Sequence, residues 1–234
     1  MATIAETLQV IKSRIEAACR SRGRDRDEVK LIAVSKMHPA EIVREAIDAG
    51  CVTFGENKVQ EAEEKIGQVG RNAAEWHLIG HLQSNKARKA VELFDVIHSL
   101  DSVELADRLE RICIEVDRGS LPVLVQVDLA GEETKSGINE SQLDKLVDRL
   151  MRCERLRFTG LMVLPPFFDD PEATRPYFVR LREIRDRLGD QNVFADGPGE
   201  LSMGMSHDFE VAIEEGATMV RVGTAIFGER GYNN

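Results

Sequence analysis

The feature that most constrains this chain is a regular alternation between short apolar runs and segments with helical spacing. The apolar runs predict strands over 29–34, 53–55, 76–79, 96–100, 123–129, 157–164, 201–204 and 219–227. Helical patterns cover 4–20, the segment from Pro39 to Gly50, and then 58–69, 84–93, 102–117, 139–152, 172–188 and 206–216. Strict alternation of strand and helix implies right-handed crossovers and a parallel sheet.

The number of repeats favours a closed barrel. Eight strand–helix units match a (β/α)8 TIM barrel, which takes about 250 residues, and this chain has 234. No shift in composition and no Ser/Gly-rich linker divides it, so we expect one α/β domain over residues 1–234, with an extra N-terminal helix. An open doubly wound sheet is the alternative. The first strand is not followed by Gly-x-Gly-x-x-Gly, which counts against a dinucleotide-binding version of that sheet.

Charge and cysteine usage exclude several classes of protein. The chain carries 31 Lys and Arg residues against 41 Asp and Glu residues, a formal net charge of −10, which disfavours binding to nucleic acid or to an anionic membrane. The N-terminus lacks the apolar core of a signal peptide, and no stretch is long and apolar enough to span a bilayer. Cys19, Cys51, Cys113 and Cys153 form no Cys-x-x-Cys pair, so we expect reduced thiols and a cytoplasmic protein.

Lys36 is the sharpest candidate for chemistry, because it directly follows the first predicted strand. In a (β/α)8 barrel the active groups lie where strands end and the following loops begin. A partly desolvated lysine at such a place supplies a neutral amine that can form a Schiff base. The alternative is a lysine that merely sits in solvent at the end of a strand.

Arg221 interrupts an otherwise apolar strand, Met219 to Gly223. An arginine is almost never buried without a partner, because an uncompensated charge in the interior is costly. We therefore expect Arg221 to face a ligand, a carboxylate or solvent at the rim. A structural salt bridge is the plainer alternative.

Small and hydroxylated residues after the seventh and eighth strands predict a phosphate cradle. Gly223 and Thr224 follow the eighth strand, and Ser202 and Ser206 lie around the seventh, where barrel enzymes often bind phosphate. Glycine lets backbone N–H groups approach an anion, and hydroxyl groups add donors. Ser206 is also placed to cap the helix that runs to about Gly216, which would aim its N-terminus at the phosphate.

Other polar groups give weaker indications. The five histidines show no ligand spacing beyond His77 and His81, which lie on a strand and its loop, so we expect no metal site. Lys135 follows the fifth strand at the same rim, where it either guards the site or is an ordinary loop lysine.

Seven motifs, taken in order along nearly the whole chain, resemble the YggS/PROSC family of pyridoxal 5′-phosphate (PLP) homeostasis proteins, which are PLP-binding proteins. The motifs are Ala33–Lys36, Phe54–Asn57, Trp76–Lys86, Lys135–Ile138, Gly160–Met162, Leu201–Ser206 and Arg221–Gly228. The resemblance implies a single barrel of PLP fold type III, like the N-terminal domain of alanine racemase, with PLP as its cofactor. It matches Lys36 to the lysine that carries PLP as a Schiff base, and it places Asn57 beside the ring or its 3′-oxygen.

A more distant similarity to alanine racemase extends this assignment to the phosphate and the ring nitrogen. It implies that Ser206, Gly223 and Thr224 hold the phosphate and that Arg221 meets the pyridine nitrogen. Ser202 stands where the racemase has a ring-stacking histidine, so that interaction is not carried over.

An arginine next to the pyridine nitrogen, as the resemblance implies for Arg221, disfavours catalysis that needs PLP as a strong electron sink. PLP is a strong electron sink when its pyridine nitrogen is protonated, which usually needs a carboxylate partner, and a permanent cation such as Arg221 disfavours that protonation. The racemase works with such an arginine, but it adds a second domain and a tyrosine supplied across a dimer interface. This chain ends soon after its eighth strand, its tyrosines are Tyr177 and Tyr232, and Lys36 is the one evident acid–base group.

These points together predict a monomeric PLP binder with no catalytic residues, which holds, buffers or delivers the cofactor. PLP-dependent apo-enzymes are the candidate recipients, and weak racemase-like activity is left open. The main alternative is a PLP-dependent amino-acid racemase-like enzyme of fold type III. A Schiff-base aldolase acting on a phosphosugar, which needs no PLP, is a third.

Overall fold

The computed structural model describes residues 2–131 and 136–228, and their strands close into one parallel barrel. The strands are β1 (Lys30–Val34), β2 (Thr53–Glu56), β3 (Glu75–Leu78), β4 (Val96–Leu100), β5 (Leu121–Asp128), β6 (Ile138–Asn139), β7 (Leu156–Met162), β8 (Glu200–Met205) and β9 (Met219–Val222). Around the wall the order is β4-β3-β2-β1-β9-β8-β7-β5, and β4 pairs with β5 to close the ring. The two-residue β6 adds to β5. The predicted (β/α)8 barrel is therefore confirmed, and the open doubly wound sheet is wrong.

A helix follows each strand of the wall. The helices are α1 (Ile4–Ser21), α2 (Ala40–Asp48), α3 (Val59–Val69), α4 (Ala87–Leu93), α5 (Val103–Glu115), α6 (Glu140–Leu150), α7 (Arg175–Asp190), α8 (Phe209–Glu214) and α9 (Thr224–Phe227). Short 3-10 turns cover Arg26–Glu28, Arg71–Ala73, Ser84–Lys86 and Pro171–Thr174. Within the described ranges, no helix has the length and apolar character needed to cross a membrane.

The additional N-terminal helix α1 forms where the sequence supplies both a start signal and an apolar stripe. Thr3 accepts a hydrogen bond from the Glu6 N–H while the Glu6 carboxylate accepts from the Thr3 N–H, which is a capping box. Leu8, Ile11 and Ile15 recur at helical spacing, are buried, and pack this helix against α8 and α9.

Some predicted boundaries differ from the structure. The apolar run 219–227 ends as a strand at Val222, and its last residues form α9, where Ile226 is buried and its carbonyl accepts from Thr7 Oγ1. A short apolar run does not by itself distinguish strand from helix, which explains the error. The patterns 84–93 and 172–188 begin as 3-10 turns, and 206–216 becomes helical at Phe209.

The buried side chains fall into two groups on the two sides of the barrel wall. A large apolar group fills the layer between the strands and the surrounding helices. A second, small group consists of Ile32, Val96, Leu124, Met162 and Met219, with the partly buried Leu164 against it. Each of the five members lies on a strand, and alternation along the strand points it to the barrel interior.

The four cysteines are free thiols in the structure. Cys19, Cys51 and Cys113 are buried and Cys153 is half-buried. Burial raises the pKa of Cys51, Cys113 and Cys153 to about 11, so these thiols are protonated at neutral pH and have little nucleophilic character.

Candidate functional site

A cavity of about 540 Å³ opens at the carboxyl ends of the barrel strands. Its lining consists of Val34, Lys36, His38, Asn57, Ile79, Leu164, Pro166, Phe167, Phe168, Thr174, Met205, Ser206, His207, Asp208, Arg221, Gly223 and Thr224. The structure thus brings the six predicted site residues, Lys36, Asn57, Ser206, Arg221, Gly223 and Thr224, to one cavity. Lys135 and Tyr232 lie outside the described residues.

Lys36 reaches the cavity because of the alternation along β1. Ile32 belongs to the small interior group, and Val34 and Lys36 continue the same face into the cavity wall. The side chain of Lys36 is half-buried. A half-buried amine that lines the cavity is suited to covalent chemistry with a carbonyl.

The backbone just before Lys36 is held by a buried ion pair. Lys65 Nζ, from α3, donates to the Ser35 carbonyl oxygen at 2.7 Å and to Glu56 Oε1 at 2.5 Å. Ser35 Oγ donates to the same carboxylate oxygen at 2.6 Å. Burial raises the pKa of the Glu56 carboxyl, although Lys65 and Ser35 act in the opposite direction. The end of β1 is therefore fixed to β2 and α3.

The backbone just after Lys36 is held by the same helix. The Met37 N–H donates to Glu61 Oε1, which lies 3.3 Å from Lys65 Nζ. Met37 has a φ of 65°, in the left-handed region that residues with a side chain rarely use. The loop around Lys36 is thus strained and secured on both sides, a combination that is common at functional sites. Nothing in the sequence predicts this arrangement, since Lys65 and Glu61 occupy ordinary polar positions of a helix.

Asn57 lies at the end of β2, where a glycine permits close approach of the next loop. A Cβ at Gly80, two residues after the end of β3, would come 2.3 Å from the Asn57 carbonyl oxygen. A residue with a side chain at position 80 would therefore displace Asn57 from the cavity wall.

Ser206 gathers two backbone donors at the other side of the cavity. Its Oγ accepts from the Gly223 N–H at 3.1 Å and from the Ala225 N–H at 3.4 Å. The prediction that Ser206 caps the following helix is wrong: Asp208 occupies the cap position of α8, and the Asp208 carboxylate accepts from the Met205 N–H at 2.6 Å. Ser206 instead ties the loop after β8 to the loop after β9.

Arg221 is buried, with 2% of its surface exposed, yet its guanidinium reaches the cavity. Its Nη1 donates to Ser202 Oγ at 2.6 Å and its Nη2 to the Val163 carbonyl oxygen at 2.8 Å. Burial lowers the pKa of Arg221 to about 10, which leaves it a cation at neutral pH. The predicted salt-bridge alternative is not realised within the described part of the chain, where both direct partners are neutral oxygens.

Ser202 does not join the phosphate cradle that the sequence predicted. It is fully buried on β8, accepts from Arg221, and lies 2.9 Å from His98 Nδ1. The register of β8 against β9 shifts between Ser202 and Met205, just before Ser206. Ser202 thus holds the Arg221 guanidinium through a buried hydrogen bond and does not itself line the cavity.

Aromatic and imidazole groups form the outer rim of the cavity. Phe167 is 73% exposed, and its ring lies 5.4 Å from that of His207. His207 Nε2 is 3.0 Å from the Asp169 carbonyl oxygen, and the His38 ring lies 5.0 Å from the Phe227 ring, tilted by 38°. The described residues contain no cluster of three or more His, Cys, Asp or Glu side chains arranged for a metal ion.

The closed barrel and the residues that line its cavity define a class of protein, the alanine racemase type of barrel. Residues 7–231 match the family model described as "Alanine racemase, N-terminal domain". Alanine racemase from Corynebacterium glutamicum superimposes with a TM-score of 0.69 at 18% identity, covering 95% of this chain and 62% of that one. That likeness shows the fold.

Within that class, the chain belongs to the family of pyridoxal phosphate homeostasis proteins. The protein of that name from Aquifex aeolicus is 43% identical over 227 residues, which are 97% of this chain and 98% of the relative. PipY from Synechococcus elongatus PCC7942, in a structure with PLP bound, is 43% identical with a TM-score of 0.82, covering 96% of this chain and 100% of that one. The family resemblance seen in the sequence motifs is confirmed.

Proposed function

We propose that this chain is a PLP-binding protein of intracellular vitamin B6 homeostasis, which holds PLP as a Schiff base on Lys36 and buffers or delivers it without significant catalysis. The observation that carries the proposal is the convergence of Lys36, Arg221 and the pair of Ser206 and Gly223 on one cavity. The PLP-bound structure of PipY supports the same ligand here.

The cradle around Ser206 fits a phosphate group. Two backbone N–H groups, of Gly223 and Ala225, already converge on a single oxygen atom, the Ser206 hydroxyl. A Cβ at Gly223 would come 3.1 Å from the Val34 carbonyl oxygen, so the absence of a side chain keeps this backbone close to the barrel end. Thr224 adds a hydroxyl group at the cavity wall. These donors suit the oxygens of a phosphate.

Lys36 and Asn57 fit the other end of the ligand. The Lys36 amine is the group that holds an aldehyde covalently, and the ion pair of Lys65 and Glu56 fixes the backbone from which it extends. Asn57 offers an amide that can donate to or accept from a ring substituent. A phosphate cradle, an amine and an amide on one cavity wall match the three polar ends of PLP.

Arg221 sets the character of the site. When bound, PLP supplies an electron sink for amino-acid chemistry, which is strongest with a protonated ring nitrogen. Arg221 stays cationic and presents N–H donors to the cavity, so it favours a ring nitrogen that carries a lone pair. An arginine at this position therefore makes PLP a weaker electron sink, which supports a protein that holds PLP over one that catalyses a reaction with it.

We extend the proposal to the organisation of the protein. In this proposal residues 1–234 form one domain with one such site, and the closure of the described strands into one barrel supports it. The protein acts as a cytoplasmic monomer, and PLP-dependent apo-enzymes receive the cofactor from it. The free thiols of all four cysteines support a reducing compartment.

The first test is covalent capture. Purified protein is incubated with PLP, reduced with borohydride and digested, and mass spectrometry locates the phosphopyridoxyl group. We expect the label on Lys36 and its loss in Lys36→Ala. Lys58→Ala, a change in an exposed lysine next to Asn57, is the matched control and should label as the wild type does. Unchanged labelling of Lys36→Ala would refute the site.

The second test separates a carrier from the racemase-like alternative. Holo-protein is incubated with small amino acids in deuterated water, and exchange at the α-carbon is followed by NMR. We expect exchange no faster than that caused by free PLP at the same concentration. Efficient exchange would favour an enzyme. Transfer of bound PLP to an apo-enzyme, with a trap for free PLP present, tests delivery.

A further inference from the structure

A line of polar side chains crosses the barrel interior from Arg221, under the cavity, to Glu75 at the opposite end of the barrel. Arg221 Nη1 lies 2.6 Å from Ser202 Oγ, which lies 2.9 Å from His98 Nδ1. His98 Nε2 is 2.8 Å from His77 Nδ1, and His77 Nε2 is 3.2 Å from Glu75 Oε1. The first four side chains are each 2% exposed or less. Such a polar line is unusual where barrels pack bulky apolar residues.

The charges at the two ends, a cation at Arg221 and an anion at Glu75, decide which atoms carry the protons of His77, His98 and Ser202. The close contact with His77 and the ion pair with Lys30 lower the pKa of Glu75 to about 2, so Glu75 is an anion and can only accept. The contact from His77 Nε2 is a close electrostatic one rather than a well-aligned hydrogen bond, and an anion there favours a proton on that nitrogen. Burial lowers the pKa of His77 and, much further, that of His98, so both rings are neutral.

A neutral His77 with its proton on Nε2 has a bare Nδ1, which must accept from His98 Nε2. The bare Nδ1 of His98 then accepts from the Ser202 hydroxyl. The lone pairs of Ser202 Oγ remain for Arg221, which can only donate. Each donor along the line thus points away from Arg221 and towards Glu75.

We infer that Ser202, His98 and His77 are positioning residues, which form a one-directional hydrogen-bond relay that holds the Arg221 guanidinium as a fixed donor at the cavity floor. Aligned dipoles inside a protein reinforce one another, so the Glu75 anion stabilises the buried cation through the line. The Val163 carbonyl oxygen fixes the second Nη, and the buried Asp208 carboxyl adds attraction without direct contact. The relay deepens the proposed function, because it requires a lone pair on the ligand atom that meets Arg221.

The first experiment needs no PLP, so its failure and failure of the proposed function are distinguishable. Ligand-free protein labelled with 15N in histidine is examined by long-range 1H–15N NMR, which distinguishes protonation on Nδ1 from protonation on Nε2. We expect His77 and His98 to be neutral with the proton on Nε2. A proton on Nδ1 of either ring, or a doubly protonated ring at neutral pH, would overturn the inference.

Two variants test the ends of the relay. Glu75→Gln removes the anion that sets the direction, and we expect both rings to change to a mixture of tautomers. Lys30→Gln is the matched control, because it breaks the 3.0 Å ion pair of Lys30 with Glu75 and leaves the carboxylate in place. Unchanged tautomers in Glu75→Gln, or the same mixture in Lys30→Gln, would contradict the relay.

Ser202→Ala tests the hold on Arg221 itself. We expect solvent exchange of the Arg221 guanidinium protons in the ligand-free protein to rise about tenfold, the effect of losing one hydrogen bond to a charged group. The Kd for PLP should rise by a similar factor, whereas Lys30→Gln should change it less than twofold. Unchanged guanidinium exchange in Ser202→Ala would refute the positioning role. Glu75→Gln, at the half-exposed end, tests the relay even if the buried Ser202→Ala variant does not fold.

Discussion

The two sides of the barrel wall use the same strands for different purposes. Along β3, Trp76 and Leu78 face the surrounding helices and join the large apolar layer, whereas Glu75 and His77 face the interior and join the polar line. The interior keeps a small apolar group, centred on residues such as Ile32. Burial between strands and helices thus stabilises the fold, which leaves the interior face free for polar side chains that act on a ligand.

Truncation in the outer layer should give the largest effect. Phe54 is fully buried there, and its ring lies 5.5 Å from that of Trp76. We expect Phe54→Ala to lower the free energy of unfolding by about 4 kcal/mol, from lost burial and the cavity left behind. Urea denaturation followed by circular dichroism measures this. A loss under about 1 kcal/mol would mean that the outer layer does not carry the stability.

The buried pair of Lys65 and Glu56 breaks the simple rule that the outer layer is apolar. Their side chains are 4% and 0% exposed, so Lys65→Met leaves a buried carboxylate without its cation and should cost about 3 kcal/mol. The double variant Lys65→Met with Glu56→Leu should recover most of that loss, as measured in the same denaturation experiment. If the double variant is no better than the single one, the pair does more than neutralise charge.

The interior histidines should make stability depend on pH. Burial holds the pKa of His98 well below 6.5, and that of His77 below it, so the unfolded chain takes up protons that the folded chain refuses. Stability is therefore complete above about pH 6.5 and falls as the pH decreases below it. We expect His98→Gln to flatten the change in Tm between pH 7.5 and 5.5. An equally steep change would exclude His98 as its source.

Glu75 should contribute in a separate, more acidic window. Its pKa is lowered from 4.5 to about 2, so its contribution is present above pH 4.5 and is lost as the pH falls towards 2. Glu75 is partly exposed, so the effect is smaller than that of the buried groups. Glu75→Gln should remove this part of the acid unfolding curve, and Lys30→Gln should remove less of it.

The smallest effect on stability should come from the residue that matters most for the ligand. Lys36 is half-buried at the end of its strand, and we expect Lys36→Ala to change the free energy of unfolding by only about 0.5 kcal/mol while retention of PLP is lost. Denaturation and absorbance measured on the same sample provide the check. A large loss of stability would mean that Lys36 also serves the fold.

The strands of the barrel wall were predicted from the sequence, whereas the line of polar side chains across the barrel interior was not. Alternation of apolar runs and helices specified eight strands, and position after a strand was enough to place Lys36 and Gly223 at one rim. Contact between His98 on β4 and Ser202 on β8 depends on closure of the ring, which brings distant strands face to face. A polar residue in an apolar strand, the signal that marked Arg221, was present at His77 and His98 too.

Local errors have local causes. Ser206 resembled a helix cap, but the turn places Asp208 at that position and leaves the serine hydroxyl for backbone donors of the next loop. The strained backbone at Met37 had no signal in the sequence, because the residues that impose it, Glu61 and Lys65, come from a separate helix. Such features depend on tertiary packing rather than on local propensity.

Closure of the sheet through β4 and β5 also limits how another protein can approach. Each strand of the wall already has a neighbour on both sides, so the wall offers no backbone edge for a visiting strand to extend. A partner protein must therefore bind to the surrounding helices or to the loops. Among the described residues, Phe167 is a large apolar side chain that lines the cavity and is 73% exposed, and the exposed Met37 directly follows Lys36 in the chain. Another protein therefore reaches the cavity through its open mouth and not by pairing with a strand of the wall.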